Sequence, residues 1–419
     1  MGTTMTEVTD NEYREQRLTN MKKLVEMGHK PFGGAFTRTG RLAEIRAAFE
    51  ENKKVSAAGR LLTIRLMGKS IFAHLYDGSD KLQVYVSQRD MGEDSFKAFK
   101  LLDMGDHIGV EGTLFTTRTG EKTIKIEKWV MLSKALLPLP EKWHGLKDVE
   151  ARYRQRYLDL IANPDVRELF NKRIRMIREI RNYLFERGFQ EVETPMMQPI
   201  AGGAAAKPFM THYGALNADM FLRIAPELYL KRLLVGGFDK VFELNRNFRN
   251  EGLSRTHVPE FTMLEIYEAY SDVRGMKELI QGMIINVAQT IFGTLKVGTA
   301  ERVIDLTPPW REAAYRELIK EKMGADWFDL PPAEARKKAE AAGLTLDPAW
   351  DMLMVTHEVY EKLVEHTLIN PTFVTRLPAQ LIPLAKACEF KGSRGDGVHL
   401  WKEQERAVRQ DPLLGKVVC

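Results

Sequence analysis

The chain has 419 residues, of which 44% are hydrophobic and 28% are charged, the composition of an ordinary globular protein with room for two or three domains. Its two cysteines, Cys388 and Cys419, exclude a disulfide framework and a cysteine-based zinc site. No apolar run approaches the roughly 20 residues of a membrane helix, and the N-terminus lacks the pattern of a secretory signal. We therefore expect a cytoplasmic protein, whose net charge of +5 permits a polyanionic partner without requiring one.

Two charged helices are predicted near the N-terminus, over residues 11–29 and 40–52. The breaker sequence Pro31-Phe32-Gly33-Gly34 separates them. Basic side chains on the first helix either face solvent or meet phosphates. We treat residues 1–54 as an N-terminal helical arm.

Five short strands follow, with turn signals such as Asp77-Gly78 and Thr119-Gly120 between them. The predicted strands are Val55–Leu62, Ser70–Tyr76, Lys81–Ser87, His107–Leu114 and Lys122–Leu132. A helical piece, Ser95–Leu102, interrupts them after the third strand. Five strands with a helix at that place predict an OB-fold barrel over residues 55–137.

One face of the second strand carries Phe72 and His74, and Gln83 lies on the third strand. An aromatic ring on such a face can stack an unpaired base, a contact worth roughly 1–3 kcal/mol. The competing interpretation places Phe72 in the barrel core.

A polar linker, residues 138–165, leads to a long amphipathic helix predicted over Val166–Arg187. Gly188 is well suited to end this helix. A short strand over Phe189–Thr194 then stops at Pro195, which cannot donate a hydrogen bond to a sheet.

The stretch from Lys240 to Asp272 reads KVFELNRNFRNEGLSRTHVPEFTMLEIYEAYSD. Two alternating runs, Val241–Leu244 and Phe261–Tyr267, flank a charged loop, which predicts two antiparallel strands joined by a functional loop. FRNEG followed by H-x-PEFTMLEIYEAY resembles the second signature motif of class II aminoacyl-tRNA synthetases in its lysine-specific form. Similarity to bacterial-type lysyl-tRNA synthetases extends from the N-terminal helix to about Ala387.

The resemblance implies an ATP site on this loop. Arg249 matches the arginine that grips the α-phosphate and is the expected catalytic residue. Glu251 matches the residue facing the adenine amino group, His257 the one near the outer phosphates, and Phe261 the ring under adenine. Val258 stands where the family usually has Asn, so one adenine hydrogen bond is missing or comes from a backbone group.

The same resemblance implies a lysine pocket. Glu227, in RIAPELYLKRL, and Glu265 match its acidic residues, with Tyr267 as a polar wall. Gly203, in AGGAAAKPF, matches the glycine whose backbone lies beside the amino acid. A pocket that pairs an ammonium group with buried carboxylates rejects neutral analogues. For Glu227 alone, a carboxylate at a helix end is the plainer interpretation.

Further expectations follow from the family. Phe72 and Gln83 match the stacking and base-reading residues of its anticodon-binding domain, whereas Lys128 stands where a glutamate is expected. The helix and strand before Pro195 resemble the first signature motif, a homodimer contact. The implied ligands are ATP, Mg²⁺, lysine and tRNA(Lys).

The family pattern stops after Ala387. The family's acidic magnesium ligands and its glycine-rich third motif are expected beyond that point, so no metal ligand is assigned. Residues 388–419 instead form a tail without strand alternation. Either the gene is read out of frame near Ala387, or the copy is degraded or misassembled, or the chain is a natural truncated paralogue.

The predicted fold class is α+β: an OB-fold barrel followed by a class II synthetase catalytic domain over residues 166–387, an antiparallel sheet with helices that is incomplete at its C-terminus. The leading interpretation is a lysine–tRNA ligase whose present chain is catalytically incomplete. The alternative is a non-catalytic tRNA-binding or regulatory module on the same fold. A lysyl-transfer enzyme acting on protein is disfavoured by the barrel.

Overall fold

The computed structural model describes residues 5–139, 146–204, 206–252, 257–381 and 403–404, with side chains for the described residues between 12 and 381. It divides into two compact units, Met1–Leu169 and Phe170–Cys419. The division falls inside a helix, close to the predicted start of the second domain at residue 166. None of the described helices is long and apolar enough to cross a membrane.

The first unit contains a closed five-stranded barrel. Its strands are β1 (Lys54–Met67), β2 (Ser70–Tyr76), β3 (Lys81–Ser87), β4 (His107–Thr116) and β5 (Lys122–Ser133). They close in the order β1-β2-β3-β5-β4, with β3 and β5 parallel and the other pairs antiparallel. Buried residues alternate along most of β1, β2 and β3 and part of β4 and β5, and they form one apolar core with the helices packed on it. The predicted OB-fold is confirmed.

Seven helices begin among the described residues of this unit. They are α1 (Met5–Glu26), α2 (Leu42–Ala47), α3 (Gln88–Met91), α4 (Glu93–Phe99), α5 (Val149–Arg154), α6 (Arg156–Ala162) and α7 (Pro164–Phe185). Asp148 caps α5 by accepting a hydrogen bond from the Ala151 amide at 2.7 Å. The segment predicted as a linker is therefore helical from residue 149 onward.

The second unit mixes helices with short strands. Its helices are α8 (Glu227–Val235), α9 (Val273–Phe292), α10 (Tyr315–Met323), α11 (Pro332–Ala341) and α12 (Met352–Val359), the last continued by a π-helical turn, Tyr360–Val364. Its strands are β6 (Gln190–Glu191), β7 (Met197–Gln198), β8 (Met210–Tyr213), β9 (Ala218–Leu222), β10 (Lys240–Phe248), β11 (Glu260–Glu268), β12 (Lys296–Gly298), β13 (Val303–Asp305), β14 (Arg311–Ala314), β15 (Thr372–Thr375), β16 (Leu377–Pro378) and β17 (Glu403–Gln404).

The sheet that positions the site consists of β6, β10 and β11. The strands β10 and β11 are antiparallel over nine paired residues, and β6 joins β10 in parallel. A second sheet has the order β7-β9-β8. Phe242 of β10, fully buried, packs with Leu184 of α7 and Ile280 of α9 in the core of this unit. The predicted pair of strands around the charged loop is confirmed.

Two expectations are wrong. The sequence predicts helices over residues 281–369, with a looser segment at Asp305–Pro309, but β12, β13 and β14 lie there as well. The strand β15 falls within residues 370–386, where the similarity to a late strand of the family predicts it. The strand expected over Phe189–Thr194 is only the two-residue β6. Strands of two to four residues contain too few alternations to be distinguished from helical or irregular segments by periodicity.

Candidate active site

The strand pair β10–β11 brings two carboxylates together. Glu243 stands directly opposite Glu265 in the antiparallel register. Tyr267, two residues along β11 on the same face, donates a hydrogen bond from its hydroxyl to Oε2 of Glu265 at 3.0 Å. The predicted pairing of Glu265 with Tyr267 on one face is what the structure shows.

The carboxyl group of Glu265 has a strongly altered acidity. Burial, the largest cause, and the nearby charges of Glu227 and Glu243 together raise its pKa to about 7, against the Tyr267 hydrogen bond and the Arg249 charge. Within the described part of the chain, no basic side chain forms an ion pair with it. An incoming ammonium group would supply the missing positive charge.

Glu227 and Gly203 lie side by side near this carboxyl group. Glu227 is the first residue of α8, and its carboxylate pairs with Lys231 one turn later at 2.6 Å. Gly203 has a φ of +88°, and a Cβ added there would stand 2.9 Å from Cβ of Glu227. Glu227 is therefore a carboxylate at a helix end, as the plainer interpretation has it. Its charge also acts on Glu265 and raises the pKa of that residue.

Arg249 follows β10 directly. Its amide donates to the carbonyl of Pro259 at 2.9 Å, closing the base of the charged loop. Its guanidinium carbon lies 5.2 Å from the ring centroid of Phe261 and its Nη2 lies 3.5 Å from the Ile224 carbonyl. The Nε atom is buried without a hydrogen-bond partner among the described residues. Burial lowers the pKa of Arg249, which the charges of Glu251 and Glu265 oppose.

The tip of the loop is described only in part, because residues 253–256 lie outside the described range. Glu251 and His257, on either side of that gap, are both exposed. Val258 is 55% exposed. The charge of Glu251 acts on Arg249 and links this side of the loop to the rest of the site.

An ion pair beneath the site was missed by sequence reasoning. Arg223 and Glu243 are almost fully buried, and Nη1 of Arg223 donates to Oε1 of Glu243 at 2.6 Å. Arg223 also donates from Nε to the Arg246 carbonyl at 2.8 Å, and Thr194 donates to Glu243 at 2.7 Å. This pair ties β10 to the segment whose Ile224 carbonyl faces Arg249. The only sequence signal is a charge inside an otherwise alternating strand.

A second candidate site lies on the barrel. The burial of β2 alternates, with Ile71, Ala73 and Leu75 inside, so Phe72 and His74 point outward. Gln83 is opposite His74 on β3, and Tyr85 is opposite Phe72 with ring centroids 5.0 Å apart. The interpretation of Phe72 as barrel core is therefore wrong.

Tyr85 and Phe115 extend the aromatic surface beyond the predicted residues. Their ring centroids are 5.8 Å apart, and Tyr85 shares a hydrogen bond with Ser70 at 3.0 Å. Lys128 is exposed, and its neighbour Glu127 accepts a hydrogen bond from Thr113 at 2.6 Å. The outward tyrosine and phenylalanine were predictable from the same alternation that exposes Phe72.

The described residues do not provide a magnesium site. Among them, no group of three or more His, Cys, Asp or Glu side chains is placed to hold a metal ion, and hard cations such as Mg²⁺ require several oxygen ligands. No step is therefore assigned to a metal.

Comparison with known proteins agrees with this geometry. Residues 148–415 match the family of class II tRNA synthetases (D, K and N), and residues 55–132 match the OB-fold nucleic acid binding domain. The first of these matches continues past Ala387 into the tail, which lies outside the described residues apart from 403–404.

Curated relatives match over most of the chain. The lysine–tRNA ligase of Pelotomaculum thermopropionicum is 51% identical over 381 residues, which are 90% of this chain and 75% of that protein. That of Carboxydothermus hydrogenoformans is 49% identical over 379 residues, covering 90% of this chain and 78% of that protein. That of Staphylococcus saprophyticus is 45% identical over 388 residues, with the same coverage.

The matched residues include β10, the charged loop and β11, which carry the acidic pocket and Arg249, and a separate match covers the barrel that carries Phe72. The chain therefore belongs to the class II tRNA synthetases (D, K and N) and, within them, to the family of lysine–tRNA ligases.

Proposed function

We propose that the pocket around Glu265 binds the side-chain ammonium group of lysine and that Arg249 and Phe261 bind ATP beside it. The observation that carries this proposal is the buried carboxyl group of Glu265, whose pKa of about 7 reflects burial and two neighbouring acids. An ammonium group is the ligand that such a site stabilises most, because it neutralises charge in a partly dry environment.

The chemistry of lysine activation suits Arg249. The carboxylate of the amino acid attacks the α-phosphate of ATP, and both groups are already anionic, so the step needs alignment and positive charge more than proton transfer. A guanidinium is always charged and can grip two oxygens at once. Its position 5.2 Å from the Phe261 ring suits a phosphate chain attached to a flat base. Gly203, Glu227 and Tyr267 contribute to the same lysine pocket, with Glu251 and His257 on the ATP side.

Further parts of the function belong to the same proposal. The barrel face with Phe72 and Gln83 binds the anticodon of tRNA(Lys), and the reaction takes place in the cytoplasm. Two chains associate through α7, which exposes Leu169 and Ile174 by 65% and 64%. Magnesium accompanies ATP, and none of its ligands is assigned to this chain. The expectation that this chain forms no lysyl-adenylate stays a prediction, which lysine-dependent ATP–pyrophosphate exchange tests directly.

The test of the lysine pocket is calorimetric titration of the chain with lysine and with norleucine, its neutral analogue. Lysine should bind and norleucine should not. Glu265→Gln should abolish most of the affinity, whereas Glu278→Gln, an exposed acid on α9, should leave it unchanged. Equal lysine affinity in the Glu265 variant and the parent would refute the assignment of the pocket.

The test of the barrel face is the affinity for an anticodon stem-loop of tRNA(Lys). Phe72→Ala should weaken binding by roughly 1–3 kcal/mol if the ring stacks a base. The control is Val130→Ala, an exposed apolar residue on β5 opposite Gly109. If the parent and the Phe72 variant bind with the same affinity, the face does not stack the anticodon.

A further inference from the structure

A cationic cavity lies in the first unit, away from the residues discussed so far. Its volume is about 360 Å³, and its lining includes Arg38, Arg60, His107, Arg167 and Tyr76. These side chains come from the chain before α2, from β1, β4 and α7, and from β2, so several elements converge on one space. The charged groups are thus part of a formed cavity and not a row of separate surface arginines.

The one acid in the lining is already engaged. The carboxylate of Asp77 accepts hydrogen bonds from the Leu42 amide at 3.0 Å and from the amide and hydroxyl of Ser79 at 2.8 and 2.5 Å. Burial opposes ionisation of Asp77, but these hydrogen bonds together hold its pKa below the ordinary value. Its contact with Arg38 is long, at 3.5 Å. The carboxylate of Asp77 is therefore engaged mainly by backbone and hydroxyl groups of its own turn and of the start of α2. It neutralises little of the positive charge of the arginines.

The arginines of the cavity retain unused hydrogen-bonding capacity. Arg60 donates to the Gly105 carbonyl at 3.0 Å, a neutral acceptor, and burial lowers its pKa. The Nε atom of Arg167 is buried and has no hydrogen-bond partner among the described residues. The guanidinium of Arg167 lies between the Tyr76 ring and Gly78, where a Cβ would stand 2.7 Å from Nη1. A buried guanidinium donor without a partner is costly unless an acceptor enters the cavity.

The register of β1 and β2 connects this cavity to the aromatic face. Tyr76 of β2 is opposite Arg60, and Phe72 of the same strand is opposite Arg65. Phe72, His74 and Tyr76 alternate with the buried residues of β2 and therefore share its outer face. Tyr76 lies four positions along the strand from Phe72, a distance of about 13 Å, which a segment of a few nucleotides covers.

We propose that this cavity binds a backbone phosphate of the RNA strand whose base stacks on Phe72. The proposal rests on the anticodon-binding function proposed above and extends the contact surface to Arg38, Arg60 and Arg167. Planar guanidinium groups bind phosphate oxygens in pairs, and three of them converge here around a space large enough for the group. RNA is favoured over a free phosphate compound because the cavity continues the face that carries Phe72.

The first experiment measures the affinity of the full chain for the anticodon stem-loop as a function of salt. Arg167→Gln should weaken binding by about tenfold, because it removes a charged hydrogen-bond donor. It should also reduce the slope of log affinity against log salt by about 0.7, the value for one phosphate contact on a single strand. Arg89→Gln, an exposed arginine on α3, removes the same charge and should change neither quantity. Arg38→Gln serves as a second cavity variant in case Arg167→Gln disturbs the fold.

The second experiment identifies the phosphate. A series of stem-loops, each with one phosphate replaced by neutral methylphosphonate, should contain one position that weakens binding to the parent. The same replacement should have no further effect on Arg167→Gln. If no position shows this dependence, the cavity does not bind the RNA backbone.

The outcomes separate this inference from the proposed function. If Phe72→Ala weakens binding and the cavity variants do not, the anticodon face stands and the phosphate inference fails. If neither Phe72→Ala nor the cavity variants change the affinity for the stem-loop, the proposed anticodon-binding function itself is refuted. If inorganic phosphate binds the parent but not Arg167→Gln, while both bind RNA equally, the cavity serves a free phosphate compound and the RNA inference is overturned.

Discussion

At the scale of single residues, the proposed lysine pocket depends most on Glu265. A carboxyl group on a strand is usually exposed or paired, yet this one is partly buried beside Glu243 and within reach of the Glu227 charge. Its pKa of about 7 means that the unliganded pocket holds a proton near neutral pH. Lysine binding must therefore release that proton, since an ammonium group favours the ionised carboxylate.

This coupling predicts a pH-dependent affinity for lysine. Below pH 7, the dissociation constant should rise about tenfold for each pH unit, and above pH 7 it should level off. Calorimetry at about pH 6, in two buffers of different ionisation enthalpy, should count one proton released per lysine bound. Glu265→Gln should bind weakly and without this slope. A flat profile in the parent would show that Glu265 is ionised before lysine arrives.

The raised pKa of Glu265 also makes the stability of the unliganded chain depend on pH. Whereas lysine affinity increases with pH, this contribution to the free energy of unfolding decreases with pH. A raised pKa in an acid means that the folded chain binds a proton that the unfolded chain has lost. The contribution of Glu265 to stability is therefore fully present below the ordinary carboxyl pKa of 4.5 and is lost as the pH rises through about 7. Bound lysine should remove this loss of stability at higher pH, because its ammonium group favours the ionised carboxylate of Glu265.

Gly203 offers a separate test of the pocket. Its φ of +88° disfavours any side chain, and a Cβ there would crowd Glu227 at 2.9 Å and Ala225 at 3.1 Å. Gly203→Ala should cost about 1–2 kcal/mol of stability from backbone strain and should also weaken lysine binding by displacing Glu227. Gly188→Ala is the matched control, with a φ of +80° and no atom within 4 Å of the added carbon.

The two glycine variants distinguish strain from contact. Unfolding in urea should show a loss of stability for both variants, since both force a side chain into the left-handed region, and a larger loss for Gly203→Ala, whose Cβ also crowds Glu227 and Ala225. Only Gly203→Ala should lose lysine affinity. If Gly188→Ala loses the same affinity, the effect comes from general loosening and not from the contact with Glu227.

At the scale of elements, sequence patterns predicted those that are long and alternate. The five barrel strands and the pair β10–β11 follow from period-two burial, and β2 and β3 have the predicted bounds. The strands β12 to β15 span three or four residues each, so no local pattern distinguishes them. Their pairing is decided by distant partners, as when β14 joins β15 from about 60 residues away.

The Arg223–Glu243 pair could not be predicted for a related reason. Each residue occurs in an ordinary local context, and only the tertiary structure shows that both are buried and joined at 2.6 Å. The resemblance to the family identified Glu227 and Glu265, which we propose as lysine-binding residues. The resemblance did not identify the Arg223–Glu243 ion pair. That pair lies beside Ile224 and in β10 and belongs to none of the motifs that carry the resemblance.

This pair should stabilise the sheet and position Arg249. Arg223→Met leaves Glu243 buried without its partner, a change that costs roughly 3–5 kcal/mol. Because the Ile224 carbonyl lies 3.5 Å from Nη2 of Arg249, ATP affinity should fall as well. Urea unfolding and ATP titration measure the two effects.

A double variant serves as the control for this prediction. Arg223→Met combined with Glu243→Leu removes both charges and should recover part of the stability, because no unpaired buried charge remains. A loss below about 1 kcal/mol in the single variant would show that water or another group compensates Glu243.

At the scale of the whole molecule, the chain consists of two compact units, each of which carries one candidate site. The barrel unit carries the aromatic face and the cationic cavity, and the second unit carries the acidic pocket and Arg249. The two candidate sites share no residue and no element. Each unit also has its own apolar core, so each site depends mainly on the packing of its own unit.

This division predicts that the two binding functions are energetically independent in the unliganded chain. Phe72→Ala should weaken the stem-loop and leave lysine affinity unchanged, and Glu265→Gln should do the reverse. In the double variant, the two free-energy losses should add to within about 0.5 kcal/mol, because separate sites without shared partners are additive. Titrations of the four chains, each with lysine and with the stem-loop, measure this directly. An interaction energy above about 1 kcal/mol would instead demonstrate coupling between anticodon binding and the lysine pocket, and by reciprocity lysine would then change the affinity for the RNA by the same factor.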